Sequence, residues 1–157
     1  MAASIPVEQF ASELLVVLDE AFDNVHGIFL DHGTSMCETL ATISHEEASR
    51  PVSARCATLA AQVNHVRFYL DVVLDYLRGT QQQHVDWPSS WQITGVTAEE
   101  WDRLRERLRA SYQELQGFIR QQEDWTQNHA IGGAIGVVAH CAYHLGEIRQ
   151  ALCSLTA

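Results

Sequence analysis

Apolar side chains recur along the chain at steps of three and four, and no stretch shows the strict alternation of a half-buried strand, so the pattern predicts an all-α protein. Val7, Phe10, Ala11, Leu14, Leu18, Ala21, Phe22 and Val25 mark a first amphipathic helix, with Glu8, Glu13, Asp19, Glu20 and Asp23 mostly on its other faces. Pro6 suits its first turn, and Gly27 and Gly33 bracket an exit near Phe29. In the connection that follows, Ser35 with Glu38 and Ser44 with Glu47 have capping-box spacing, which predicts a short helix over about 36–43. Leu59, Val63, Val66, Leu70, Val73, Leu74 and Leu77 form the stripe of a second long helix over 54–78, capped by Ser53 and stopped by Gly79. Residues 80–97 have no period and carry Trp87-Pro88-Ser89-Ser90-Trp91, a long crossover pinned by its tryptophans.

Thr97 and Glu100 open a third long helix over 98–122, which buries Trp101, Leu104, Leu108, Tyr112, Leu115 and Ile119. Its arginines 103, 105, 107 and 109 alternate with carboxylates and form a solvated face. A short link leads to a fourth helix over 131–155, with Ile131, Ile135, Val138, Ala142, Leu145, Leu152 and Leu155 as its stripe. Four long helices in one chain of 157 residues predict a single four-helix-bundle domain, residues 1–157. Only the third link is short enough to force antiparallel neighbours, whereas the two long ones can each run the length of the bundle, which favours a crossover topology.

Composition narrows the chemistry. Twenty carboxylates against ten cations give a formal charge of −10, which repels phosphate backbones and argues against nucleic acid as a partner. All ten cations are arginine, so lysine-dependent Schiff-base and P-loop chemistry is excluded. The longest stretch free of strongly polar side chains, 130–139, is half the length of a bilayer-spanning helix, so no membrane span is expected. The N-terminus lacks the basic start and apolar run of a signal peptide, which points to the cytoplasm and to reduced, mostly buried thiols at Cys37, Cys56, Cys141 and Cys153.

Candidate chemistry lies in the histidines. His140 and His144 are one helical turn apart, and Val137, His140, His144 and Ile148 form one line, so the two imidazoles interrupt an apolar stripe and require partners. His65 lies one position off the stripe of the second long helix, on the line Gln62, His65, Tyr69 and Val72, and is also near mid-helix. Groups at mid-helix meet at one level in a bundle. Three neutral imidazoles can hold a first-row divalent metal and leave a position open to water or substrate; three separately hydrogen-bonded histidines are the plainer alternative. Cys141 points about 100° from His140 and suits packing. His129 is about 16 Å from His140, too far for joint ligation, and His26, His32, His45 and His84 have no matching pair. Tyr69, Asn64 and Tyr143 can reach the site as polar walls or serve packing, and Gly132, Gly133 and Gly136 suit close helix contact better than anion binding.

The segment His140-Cys-Ala-Tyr-His144-Leu-Gly146-Glu147-Ile148-Arg149 resembles the H-x-x-x-H-x-G-[QE]-I signature that closes the DinB/YfiT-like superfamily of metalloenzymes. The lone histidine in Gln62-Val63-Asn64-His65-Val66 and the tryptophan-bearing crossover fit the same layout. The resemblance implies an up-down-down-up bundle, a homodimer, and His65, His140 and His144 as ligands to nickel or zinc, with iron or manganese also open. Glu147 stands where the family more often has glutamine. The resemblance further implies a metal-dependent hydrolase or thiol S-transferase acting on a small molecule with a low-molecular-weight thiol. A non-catalytic metal-binding or stress-response interaction module is the alternative. A cavity opening onto the imidazoles would favour the enzyme, and aromatic rings sealing the site the module.

Overall fold

The computed structural model describes residues 5–80, 84–126 and 129–156, and these hold six α-helices and no strand. Four are long: α1 (Val7–Phe22), α4 (Leu59–Leu77), α5 (Ala98–Gln121) and α6 (Ala130–Thr156). The connection after α1 forms two short helices where one was expected, α2 (Met36–Ala41) and α3 (His45–Ala48). Each opens on its own capping box, Ser35 with Glu38 and Ser44 with Glu47, so each box nucleates its own turn. A 3-10 turn, Trp87–Trp91, lies in the crossover before α5, and α5 starts on the Thr97–Glu100 box.

Two boundaries differ from expectation for identifiable reasons. Helix α1 stops at Phe22, a full two turns before Phe29, because the buried Glu20 side chain takes over the backbone beyond it. Its carboxylate accepts N–H groups from His26 (3.2 Å), Ile28 (2.9 Å), Phe29 (2.6 Å) and Leu30 (2.6 Å), donors that a continuing helix would have used internally. Burial raises this carboxyl's pKa, and the donations from Phe29, Ile28, Leu30 and His26 overcome that to hold it at about 2. Helix α4 starts at Leu59, not at 54, and its cap is Thr58, not Ser53. Thr58 Oγ1 accepts from the Ala61 N–H at 3.1 Å and donates to the Ile93 carbonyl at 2.9 Å, while Ser53 closes a local turn with Cys56.

Helix α4 packs against α5 and α6, and α1 packs against the same two. The short third link therefore does not make α5 and α6 the principal neighbours. Trp125, four residues beyond the end of α5, meets Phe10 of α1 edge-on at 4.9 Å. The shared core contains Leu18, Phe22, Val63, Leu70, Leu108, Tyr112 and Leu145, with Phe22 stacked on Tyr112 at 4.2 Å.

On α6 the buried line is Val137, Cys141, Leu145 and Ile148, whereas Ile131 and Ile135 are 47% and 60% exposed, which corrects the expected stripe. Ile135 is two residues from Val137 and so about 200° around the helix; the buried Cys141, Leu145 and Ile148 fix the phase. Of the cysteines only Cys141 is buried; Cys37 is half-buried, Cys56 and Cys153 are exposed, and none forms a disulfide. The α5 arginines do lie in a charged face, Arg103 on Glu99 and Arg105 on Asp102. Among the described residues no helix is long and apolar enough to cross a membrane.

Candidate metal centre

Helix α4 supplies His65, and α6 supplies His140 and His144 from adjacent turns. The structure brings together all three histidines that the sequence singled out: one nitrogen of each lies within 4.8 Å of the others, and the ring centroids are 4.5 to 5.2 Å apart. No other group of three histidine, cysteine or carboxylate side chains among the described residues does this. His26 instead pairs with Asp19 at 2.8 Å, His45 with Glu46 at 3.1 Å, and His129 sits exposed at the entry to α6 with φ 68°.

Hydrogen bonds fix two of the three tautomers. The Ser90 hydroxyl donates its only proton to the Trp87 carbonyl at 2.7 Å, so at the 2.7 Å contact with His65 it is the acceptor and His65 Nδ1 carries the hydrogen. His144 Nδ1 faces two acceptors, Gln62 Oε1 at 2.8 Å and Glu147 Oε2 at 3.0 Å, and must also be protonated. Both rings then offer the Nε2 lone pair. His140 Nε2 is buried without any hydrogen-bond partner, a position that costs free energy unless something in the cluster satisfies it.

Burial favours the neutral form of all three imidazoles. Burial pushes His65 down to about 4, helped by the neighbouring His144, and burial with His144 and His65 does the same for His140, also to about 4. Burial lowers His144 as well, opposed by Glu147. Neutral, converging imidazoles, two of them with fixed tautomers, are the donor set of a first-row divalent cation, and the orphaned His140 nitrogen is the atom such a cation would satisfy.

Aromatic rings surround the cluster. Trp91 stacks on His65 at 3.9 Å and Tyr69 on His140 at 3.7 Å, and both rings lie nearly parallel to their imidazoles. An apolar cavity of about 220 Å³ begins beyond Tyr69, and none of the three histidines lines it. Tyr143 is 62% exposed and donates to Glu147 at 2.7 Å, so it supports the carboxylate that holds His144. Asn64 donates to the Ser90 carbonyl at 2.8 Å and anchors the crossover, so it is no wall of the site. Cys141, fully buried, packs in the core.

Two contributors were missed by sequence reasoning. Ser90 sits in an aperiodic loop, and only the flanking tryptophans marked that loop as packed inward. Gln62 was visible on the His65 line, one turn before it, but the register between α4 and α6 that pairs it with His144 is a tertiary property.

No curated protein and no solved structure gives a significant match to the chain. A family model described as DinB superfamily does match, over residues 31–148, a span from the loop before α2 into the second half of α6 that includes all three histidines. That match covers well over half of the sequence, and the chain is a member of the DinB superfamily.

Proposed function

We propose that this chain is a mononuclear metal-dependent enzyme, a hydrolase or thiol S-transferase, with His65, His140 and His144 as the ligands. The observation that carries the reading is the buried, unpartnered His140 Nε2 within a set of three neutral imidazoles. Nickel or zinc suits three nitrogen donors, with iron or manganese as alternatives. Such an ion, when bound, lowers the pKa of a water or thiol that ligates it. Ser90 orients His65, and Gln62 with Glu147 orients His144, so each ring keeps its ligating nitrogen free. Trp91 and Tyr69 keep bulk water from the faces of His65 and His140.

The supporting scaffold is read as one bundle domain of up-down-down-up topology. Asp71 with Ser111 and Arg78 with Glu114 pair α4 and α5 in parallel, whereas Phe22 on Tyr112 and Tyr69 on His140 fit antiparallel α1–α5 and α4–α6 pairs. The reading includes a small-molecule substrate with a low-molecular-weight thiol, a cytoplasmic setting and no nucleic acid. It also includes a homodimer, for which the exposed Ile131, Ile135 and Tyr143 on a segment of α6 without Asp, Glu or Arg are the support.

Elemental analysis of untagged protein tests the site: the parent should carry one metal per chain and His140→Ala should lose it, and equal content in both would refute the ligand set. The aromatic cover favours the second reading, a non-catalytic metal-binding module. Hydrolase and thiol-transfer assays on metal-loaded protein separate the two.

A further inference from the structure

The apolar cavity beside the metal centre is filled by no side chain among the described residues. Its walls come from all four long helices and include Leu18, Val73, Leu115 and Val137, and no Asp, Glu or Arg lines it. Protein cores are close-packed, and unfilled apolar volume costs stability in proportion to its size. The cavity of about 220 Å³ is floored by Leu18, Leu115 and Val137 and reaches the surface beside Tyr76, Trp87 and His129, so it is an open apolar recess in an otherwise close-packed core. Size and lining together indicate an occupant: an apolar cavity of about 150 Å³ stays dry and accepts benzene, so this one has room for a substituted benzene ring or a branched alkyl group of similar bulk.

Its position gives the occupant a purpose. Tyr69 and Trp87 both line the cavity, and both also face the histidines. Tyr69 lies on His140 with ring centroids 3.7 Å apart, and Trp87 is 6.3 Å from His65. We infer that the cavity is the binding site for an uncharged monocyclic aryl or branched-alkyl group of the substrate, whose polar end emerges at the Tyr69–Trp87 rim toward the imidazoles. The cavity as a binding site stands independently of the metal; its assignment to the substrate rests on the enzymatic reading above. It narrows the substrate class to molecules with one compact apolar end.

The probe is 4-fluorotoluene, followed by fluorine NMR on the full chain, first without metal. Saturable binding is expected in the parent, and it should be lost in both Ala134→Leu and Val73→Phe, which fill the cavity from different helices. Circular dichroism and zinc stoichiometry identify a variant that has failed to fold, and each variant checks the other. Absence of saturable binding in the parent, or equal binding in the parent and a folded filled variant, overturns the pocket. A second measurement compares zinc-loaded and cobalt-loaded protein. Cobalt at the histidines should broaden the bound fluorine resonance, and an unchanged line width places the probe away from the centre and overturns the link to the substrate. If the protein takes up neither metal but still binds 4-fluorotoluene saturably, the metal reading and the substrate assignment fail and the pocket stands.

Discussion

Protons and metal ions compete for the same imidazole nitrogens, so the histidine environment dictates how metal affinity responds to acid. An ordinary histidine titrates near 6.5, and at pH 5.5 only about one in eleven such rings is neutral. Two of them would lower apparent affinity about 100-fold between pH 7.5 and 5.5. Burial holds His65 and His140 at about 4, and rings with that value are still about 97% neutral at pH 5.5, which removes almost the whole penalty. His144 is displaced in the same direction. Zinc affinity measured against a competing chelator, corrected for the chelator's own protonation, should therefore fall by less than about tenfold over that range, the most that His144 would add if it titrated as an ordinary histidine. A fall of about 100-fold would show that the rings titrate as exposed histidines and would refute the neutral, pre-set site. The same displacement has a cost in the metal-free protein. Because the folded values are lowered, the unfolded chain takes up protons first, so stability present above 6.5 should decline as the pH falls from 6.5 toward 4.

Three further substitutions probe separate parts of the structure. Ser90→Ala removes the acceptor for His65 Nδ1–H and should weaken zinc binding about 10- to 100-fold, with Ser90→Thr restoring most of it, as measured by chelator competition. Glu20→Gln leaves one carbonyl oxygen where two carboxylate oxygens accept four N–H groups, so the thermal midpoint at pH 7 should fall. Since the Glu20 pKa is lowered from 4.5 to about 2, it contributes stability above 4.5 that is lost as the pH falls toward 2, and that acid dependence should flatten in the variant on denaturation at graded pH. Leu108→Ala, at a core position 2% exposed, should cost about 2 to 5 kcal/mol by urea denaturation.

Sequence periodicity located the helices because each long one buries a stripe, and α5 and α6 begin and end within one residue of expectation. It failed where a side chain competes with the helix for backbone donors. Nothing in Val25 or Phe29 opposes a continuing α1; Glu20 ends that helix from behind by collecting N–H groups six to ten residues ahead. At the start of α4 several residues could cap, and the choice of Thr58 over Ser53 depends on the Ile93 carbonyl, 35 positions later. Amphipathicity also misplaced the first turns of α6, because Ile131 and Ile135 are as apolar as the residues that it buries, although Val138, Leu145, Leu152 and Leu155 of the same expected stripe do pack on the core.

That ambiguity on α6 explains why the metal centre was legible while its surroundings were not. A helix apolar on most of its circumference gives little phase information, but two imidazoles on one such helix do, since each must find a polar partner or a cation wherever it is buried. His140 and His144 on the same side, with His65 at the same level of α4, leave few arrangements in which all three are satisfied. Gln62, Ser90 and Glu147 each satisfy a nitrogen of His65 or His144, and the hydrogen bonds that they accept turn a second nitrogen of those two rings toward the common centre. His140 Nε2 is fully buried and has no hydrogen-bond partner. A purely structural cluster would gain stability by supplying one, as Ser90 does for His65 Nδ1, so a fully buried, unpartnered His140 Nε2 beside two imidazoles whose hydrogen bonds leave Nε2 free is the feature that separates a ligand set from three buried histidines.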